Sequence, residues 1–193
     1  AVTPPAGTDG YARWTVLASD PNSDRIVMGV ETQGTGSGTT GDIWMRVWNG
    51  TSWGPATLAA SNTAATTTTD GNNGAGVAVA FESLSGQAMV AYQDGTNNDA
   101  LYRTGTWGGT SMTWSTAAVA PPSGSLNDDA SVITLDSNPY SDQIMLSVQD
   151  LGSRLFALHW DGSNWGDVDT RTAGTQYTYQ ASGNTGTDFY QPF

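Results

Sequence analysis

The residues best suited to binding a ligand in this sequence are tryptophans, and several belong to a short turn that occurs twice. The motif W-[DN]-G-x-x-W begins at Trp48 and again at Trp160. The pairs Asn49-Gly50 and Asp161-Gly162 favour a tight hairpin turn, because glycine adopts a positive φ angle at little cost. We therefore predict that the turn is structural and that its tryptophans clamp one layer of the fold against the next.

Aromatic rings near turns can also stack on sugar rings. An indole suits this role because it combines a large flat apolar face with a polar N–H group. The candidate carbohydrate-stacking residues are Trp53, Trp107, Trp114 and Trp165. In addition, Asn49 opens an Asn-Gly-Thr sequence and is a candidate N-glycosylation site.

Carboxylates are the other residues that could do chemistry. Glycoside hydrolysis needs two acids across a cleft. The pairs close in sequence are Asp128 with Asp129, Asp167 with Asp169, and Asp94 with Asp99. No catalytic motif surrounds them, and solvated turns are the commoner place for aspartate. His159 is the only histidine, and the sequence has no G-x-S-x-G motif that would supply a nucleophilic serine. We therefore assign no catalytic residue and expect no enzymatic activity.

A cation site is a further expectation. The stretch DGTNND at residues 94–99 places several oxygen ligands in a short glycine-containing loop, as Ca²⁺ requires. The ligands would be Asp94, Asn97, Asn98 and Asp99. The spacing is not that of an EF-hand, and ordinary turn chemistry is the alternative explanation. Apart from Ca²⁺, we predict no cofactor.

The charge balance excludes some partners. The 193 residues include 18 acidic and six basic residues, for a net charge of -12. So negative a surface repels phosphate backbones, which argues against nucleic acid as a partner. No apolar stretch approaches the length that spans a bilayer, so we expect no membrane insertion. The acidic, cysteine-free composition rich in threonine, glycine and asparagine favours an extracellular or cell-surface protein.

Internal repeats organise these residues. LASDPNSDRIVMGVE, from Leu17, matches LDSNPYSDQIMLSVQ about 118 positions later, and SGQAMVAYQ, from Ser85, is a fainter copy between them. DGNNGAGVAVAF, from Asp70, matches SGNTGTDFYQPF, from Ser182, so alternate units resemble each other most. The predicted organisation, within one structural domain, is an N-terminal extension (1–12), unit 1 (13–68), unit 2 (69–125), unit 3 (126–181) and the first strand of an incomplete unit 4 (182–193).

Each unit has the pattern of four antiparallel strands. Runs of valine, isoleucine, methionine and aromatic residues alternate with turns rich in glycine, asparagine, aspartate and proline. The fourth strand is predicted to be short and to begin at the second tryptophan of the turn. The fold class is therefore all-β, with tandem four-stranded units stacked as β-propeller-like blades. A β-solenoid-like array is the alternative.

The unit count leaves a sheet edge open. Three units and one strand are fewer than the four to eight blades of typical propellers, and an open edge can pair with another chain. The predicted assembly strand contains Asp188, Phe189, Tyr190 and Phe193, with the N-terminal segment 1–12 as the other candidate. A neighbouring copy or further repeats would complete the edge.

The repeats resemble the long tandem-repeat proteins that bacteria export to their surfaces, which alternate the same two unit types. The stretches that carry this resemblance are RWTVLASDPNSDRIVMGV, VWNGTSWGPATL and VAVAFESLSGQAMVAY. The W-D-G turn is also similar to that of fucose-binding propeller lectins, and Trp48, Trp160 and Trp165 are the matching residues. Those lectins hold sugar with an arginine and a glutamate between blades, a pair that the sequence does not place.

Three functions remain open at this point. The leading hypothesis is a non-enzymatic extracellular structural or adhesive repeat protein that self-assembles into a fibre or surface layer. Its partners would be other copies of itself or further repeats of a longer chain. The alternative is a lectin-like propeller module that binds glycans, and the third is a glycoside hydrolase.

Overall fold

The structure is a computed structural model that describes residues 11–33, 41–63, 76–93, 99–120, 130–150, 154–167 and 177–178. In these ranges the regular elements are all β-strands, arranged in three antiparallel sheets. This confirms the all-β prediction. The described residues also include no helix long and apolar enough to cross a membrane. The predicted assembly residues, from Asp188 to Phe193, lie outside the described ranges.

The sheets follow one another along the chain, each with its strands in sequence order. The first sheet contains β1 (Tyr11–Ser19), β2 (Arg25–Gln33), β3 (Gly41–Asn49) and β4 (Thr57–Thr63). The second contains β5 (Val77–Phe81), β6 (Ala88–Gln93), β7 (Ala100–Trp107), β8 (Met112–Trp114) and β9 (Ala118–Val119). The third contains β10 (Ala130–Ser137), β11 (Ile144–Asp150), β12 (Arg154–Trp160), β13 (Trp165–Asp167) and β14 (Tyr177–Thr178). β1 begins inside the segment 1–12 that the sequence assigned to an extension.

The fourth strand of each sheet differs from the prediction. In the second sheet it is divided, because β8 and β9 pair with opposite ends of β7. β13 and β14 divide the pairing with β12 in the same way. In the first sheet an isolated bridge joins Trp48 to Trp53 before β4 begins. Only β13 begins at the second tryptophan, whereas β8 ends at Trp114.

The three sheets pack face to face, and their closest approach is at their first strands. β5 lies beside β1 and β2, and β10 lies beside β5 and β6. In a propeller the first strand of each blade lies nearest the axis, so neighbouring blades converge there. In a solenoid the corresponding strands would lie above one another across the whole width of the sheet. The described sheets are therefore propeller-like blades.

Alternation of side chains along the strands gives each sheet two apolar faces. One face of the first sheet, with Val27, Ile43 and Met45, packs against a face of the second sheet that includes Val77 and Val90. The opposite face of the second sheet is lined by small residues. The apolar residues between the second and third sheets are Ala78, Ala91, Ala100, Ala120, Ala130, Ile133, Leu146, Val148 and Leu158. The second sheet is thus covered on both faces.

Candidate functional site

The repeated turn has the same geometry in both copies. The Asn49 Oδ1 atom accepts hydrogen bonds from the backbone N–H groups of Thr51 and Ser52, at 2.9 and 2.8 Å. Asp161 Oδ1 accepts the equivalent pair in the third sheet, which holds the pKa of Asp161 below its usual range. Gly50 and Gly162 have φ angles of 94° and 99°, a region that favours glycine.

A shallow groove separates the turn of the first sheet from the β7–β8 hairpin of the second. The space along it, counted together with the open solvent above it, is about 300 Å³. The first sheet contributes Val47, Asn49, Gly54, Pro55 and Thr57, and the second contributes Trp107, Thr110, Ser111, Met112 and Trp114. The groove therefore brings two of the four predicted stacking residues together.

The two tryptophans of the groove are half-buried and held in place. The guanidinium of Arg25 lies 5.2 Å from the centroid of the Trp107 ring. Trp114 lies so close to Gly105 that a Cβ atom there would be 2.8 Å from the Cζ3 atom of the indole. Both rings also pack on the core between the first two sheets. Each ring is therefore fixed in orientation, which limits the entropy that ligand binding would cost.

The groove suits a neutral polar ligand. Its polar lining residues are Asn49, Thr57, Thr110 and Ser111. None of its lining residues is ionisable, so the lining supplies no acid or base for hydrolysis. The combination of indole faces with uncharged hydrogen-bonding groups is typical of sites that bind small polyhydroxy molecules.

The other two predicted stacking residues lie elsewhere. Trp53 contacts Trp48 edge to face, with ring centroids 5.8 Å apart. Trp165 packs between Trp160 and Tyr102, with centroids 5.3 and 5.4 Å away. Tyr102 belongs to the second sheet, so the turn of the third sheet is anchored on its neighbour.

A buried carboxylate at the opposite end of the first interface escaped the sequence analysis. The Glu31 side chain has 0% exposure, and its Oε2 atom accepts a hydrogen bond of 2.9 Å from the N–H of Gly76. Among the described residues, its Oε1 atom has no hydrogen-bond partner. Burial raises the pKa of Glu31 to about 6, against the opposing effects of the Gly76 N–H and the charge of Arg13. The only signal in the sequence is that Glu31 is one of two glutamates.

The structure places few of the predicted cation and acid residues. Asp99 is buried, but the other three predicted calcium ligands, Asp94, Asn97 and Asn98, lie outside the described ranges. The acids Asp128, Asp129 and Asp169 also lie outside them. Among the described residues, no group of three or more histidine, cysteine, aspartate or glutamate side chains could hold a metal ion. His159 is half-buried in β12, opposite Met145 and Gly166.

Comparison with known proteins gives no family. No protein-family model and no curated protein matches the chain. Among solved structures it is similar to SapL1 lectin in complex with α-methyl fucoside, at 16% identity and a TM-score of 0.49, over 92% of this chain and 49% of that one. It is also similar to Trypanosoma rangeli sialidase, at 13% identity and a TM-score of 0.48, over 82% of this chain and 30% of that one. A third similar structure is an Aleuria aurantia lectin variant in complex with α-methyl-L-fucoside, at 16% identity and a TM-score of 0.41, over 80% of this chain and 44% of that one. The chain thus spans about half or less of the length of these three structures.

Proposed function

We propose that this chain binds carbohydrate, as a lectin-like module, in the groove between the first and second sheets. The observation that carries the proposal is that Trp107 and Trp114 line one groove together with uncharged hydrogen-bonding side chains. The weak likeness to lectins carries no part of it. Sugar rings have apolar faces that pack on indoles and hydroxyl groups that need donors and acceptors.

Binding without hydrolysis follows from the same lining. The amide of Asn49 and the hydroxyls of Thr110 and Ser111 can donate and accept hydrogen bonds, but they are poor proton-transfer groups at neutral pH. Glu31, the carboxylate whose pKa burial raises to about 6, does not line the groove. We therefore infer a binding module rather than a glycosidase.

The test is a glycan panel monitored by tryptophan fluorescence. Thr110→Arg fills the groove from an exposed position and should weaken binding about tenfold or more, because it displaces the ligand from both indoles. Ser163→Arg, at an exposed position of the third-sheet turn, is the matched control and should bind like the original chain. The proposal fails if no glycan binds, or if the Thr110→Arg chain binds with unchanged affinity.

A second candidate is the structural or adhesive repeat protein. The observation that favours it is an apolar side chain left in solvent on the innermost strand of the first sheet, since Leu17 is 62% exposed. Exposed apolar sheet faces commonly mark interaction sites. For either function the composition favours an extracellular or cell-surface location, which microscopy of a tagged full-length protein in its source cells would test.

A further inference from the structure

The face of the first sheet that points away from the second sheet is built like the face through which the third sheet packs on the second. Met28 and Val30 occupy the positions of Leu146 and Val148, about 118 residues later. The edge-to-face pair Trp48–Trp53 occupies the position of the Trp160–Trp165 pair. The chain therefore has two copies of one docking surface, and the second sheet occupies one of them.

The contacts of the third sheet show what this surface requires. The indole Nε1–H of Trp160 donates a hydrogen bond of 2.6 Å to the Oε1 atom of Glu82 in the second sheet. The Oδ1 atom of Asp142 accepts hydrogen bonds from the N–H groups of Leu84 and Ser85, at 2.7 and 2.8 Å. Tyr102 covers the tryptophan pair. The partner surface is thus a carboxylate, a turn with two N–H groups and an aromatic ring.

The first sheet holds the matching groups in the same local geometry. Asp24 corresponds to Asp142, and each aspartate places its Cβ atom 3.2 Å from where a Cβ on the turn glycine, Gly50 or Gly162, would lie. The Cβ atom of Asp24 is therefore placed like that of Asp142, at the end of the sheet where a neighbouring turn would present its N–H groups. Trp48 in turn corresponds to Trp160, which donates to Glu82.

The described part of the chain supplies no second sheet over this face. Leu17 is 62% exposed, whereas its counterpart Leu135 packs against the cluster around Ile144 and Trp160. At the centre of the face Met28, Val30 and Trp44 are buried. The partly buried apolar side chains packed against them, Trp53 and Ala56, belong to the same sheet. The indole N–H of Trp44 is also buried, with no hydrogen-bond partner in the described part of the chain.

We propose that this face docks a further repeat of the second-sheet type. A repeat of that type would present to Asp24, Trp48 and Trp53 the groups that the second sheet presents to their counterparts. A second copy of the chain is the poorer occupant, because its own third sheet already covers the required face. The sequence begins a repeat of this type again at residues 182–193, which match residues 70–81. The inference gives the structural role a defined surface and does not depend on carbohydrate binding.

The test extends the full chain at its N-terminus with a copy of residues 69–125 and measures thiol labelling of a Leu17→Cys variant. The chain has no cysteine of its own, so the label reports this position alone. We expect labelling to slow about tenfold or more in the extended chain, because docking buries the side chain and only local opening exposes it. The matched control extends the chain with residues 126–181, which have the sequence pattern of the first and third sheets. This extension should leave the labelling rate unchanged.

Two variants keep the result interpretable. Asp24→Ala should restore most of the labelling in the extended chain and change nothing in the unextended one. Slow labelling of Leu135→Cys in the same extended chain would show that the existing interface has formed.

Equal labelling in extended and unextended chains would overturn the proposal, as would protection by both extensions. Protection already present in the unextended chain would mean that its own residues occupy the face, and protection that rises with concentration would mean a second copy. Either result contradicts the proposal. Glycan binding, measured in parallel, tests the groove separately.

Discussion

The two interfaces of the second sheet use the same strands but are closed in different ways. Toward the first sheet it presents Val77, Val79 and Val90, and the outer end remains open as the tryptophan groove. Toward the third sheet it presents mainly alanines, and large side chains such as Trp160 and Trp165 fill the space, with a hydrogen bond from Trp160 to Glu82. The first interface thus leaves a groove at its outer end, whereas the outer aromatic rings of the second interface interlock.

The difference also appears near the axis, at one repeated position on the second strand. Gly29 of the first sheet lies under Val77 and Val79, whose methyl groups would be 3.0 Å from a Cβ atom at this position. Its counterpart Ala91 is fully buried in the second interface, in a cluster that includes Ile133 of the third sheet. At Gly29 the valine methyl groups leave little room for a Cβ atom, because the interior is close-packed.

The largest expected effect is the loss of the ring that closes the second interface. Trp160→Ala should lower the free energy of unfolding by about 3–5 kcal/mol, because it opens a cavity and removes the indole donor from the Oε1 atom of Glu82. Chemical denaturation would measure this. Trp48→Ala is the matched control: Trp48 is half-buried and its described ring contact is Trp53 alone, so its loss should be clearly smaller. Equal losses would mean that the two tryptophan pairs are equivalent.

A smaller effect is expected from adding one methyl group to the first interface. Gly29→Ala should destabilise the chain by about 1–3 kcal/mol, because the new Cβ atom overlaps the two valine side chains. The reciprocal change, Ala91→Gly, should also destabilise, through the lost methyl group and the added backbone freedom. Thermal unfolding of both variants would check this. A gain in stability for Gly29→Ala would show that the valines move aside and that the two interfaces are equally tight.

The smallest effect is the pH dependence of the first interface. The pKa of Glu31 is raised from 4.5 to about 6, so the folded chain binds more protons than the unfolded chain between these values. Stability should therefore fall as pH rises through this window, by up to about 2 kcal/mol. Glu31→Gln should remove this fall and be the more stable chain at pH 7.

Asp20 should contribute a pH dependence of stability that is opposite in sign to that of Glu31. Burial opposes the shift, but hydrogen bonds from Ser23, Asn22 and Arg25 and the charge of Arg25 hold the pKa of Asp20 below its usual value. Its contribution to stability should therefore be present above its ordinary pKa and be lost as pH falls into the acid range. Urea titrations of Glu31→Gln and Asp20→Asn across pH 3 to 8 would separate the two contributions. An unchanged slope in Glu31→Gln between pH 4.5 and 6 would contradict the assignment to Glu31.

The fold was largely predictable from local patterns. The strands around Val27 and Leu146 follow from β-branched and apolar runs that end at turns, because strand pattern and turn chemistry act over a few residues. Because these segments repeat along the sequence, the sheets were predicted to be tandem copies of one unit. The division of the fourth strand was not predictable, because it depends on which parts of β7 and β12 remain available for pairing.

The candidate groove was predictable only in part. Trp107 and Trp114 could be selected as aromatic residues near a hairpin, but their approach to Asn49 and Pro55 depends on how two sheets pack. Trp165 was an equal candidate in the sequence, yet it lies against Tyr102. The equivalent turns differ because the third-sheet turn packs directly on Tyr102, whereas the first-sheet turn borders the groove that contains Trp107 and Trp114.

By itself, the sequence determined the all-β class, the tandem sheets and the turns at Gly50 and Gly162, since these depend on interactions within a few residues or on direct repetition. Only the tertiary structure decided which tryptophans border a groove, which glutamate is fully buried and which leucine on an outer sheet face is exposed. These properties arise between residues far apart in the chain, so their energy depends on the neighbouring sheet. Glu31 shows this most clearly: its strand resembles its repeats, but burial raises its pKa, and the Gly76 N–H opposes this shift.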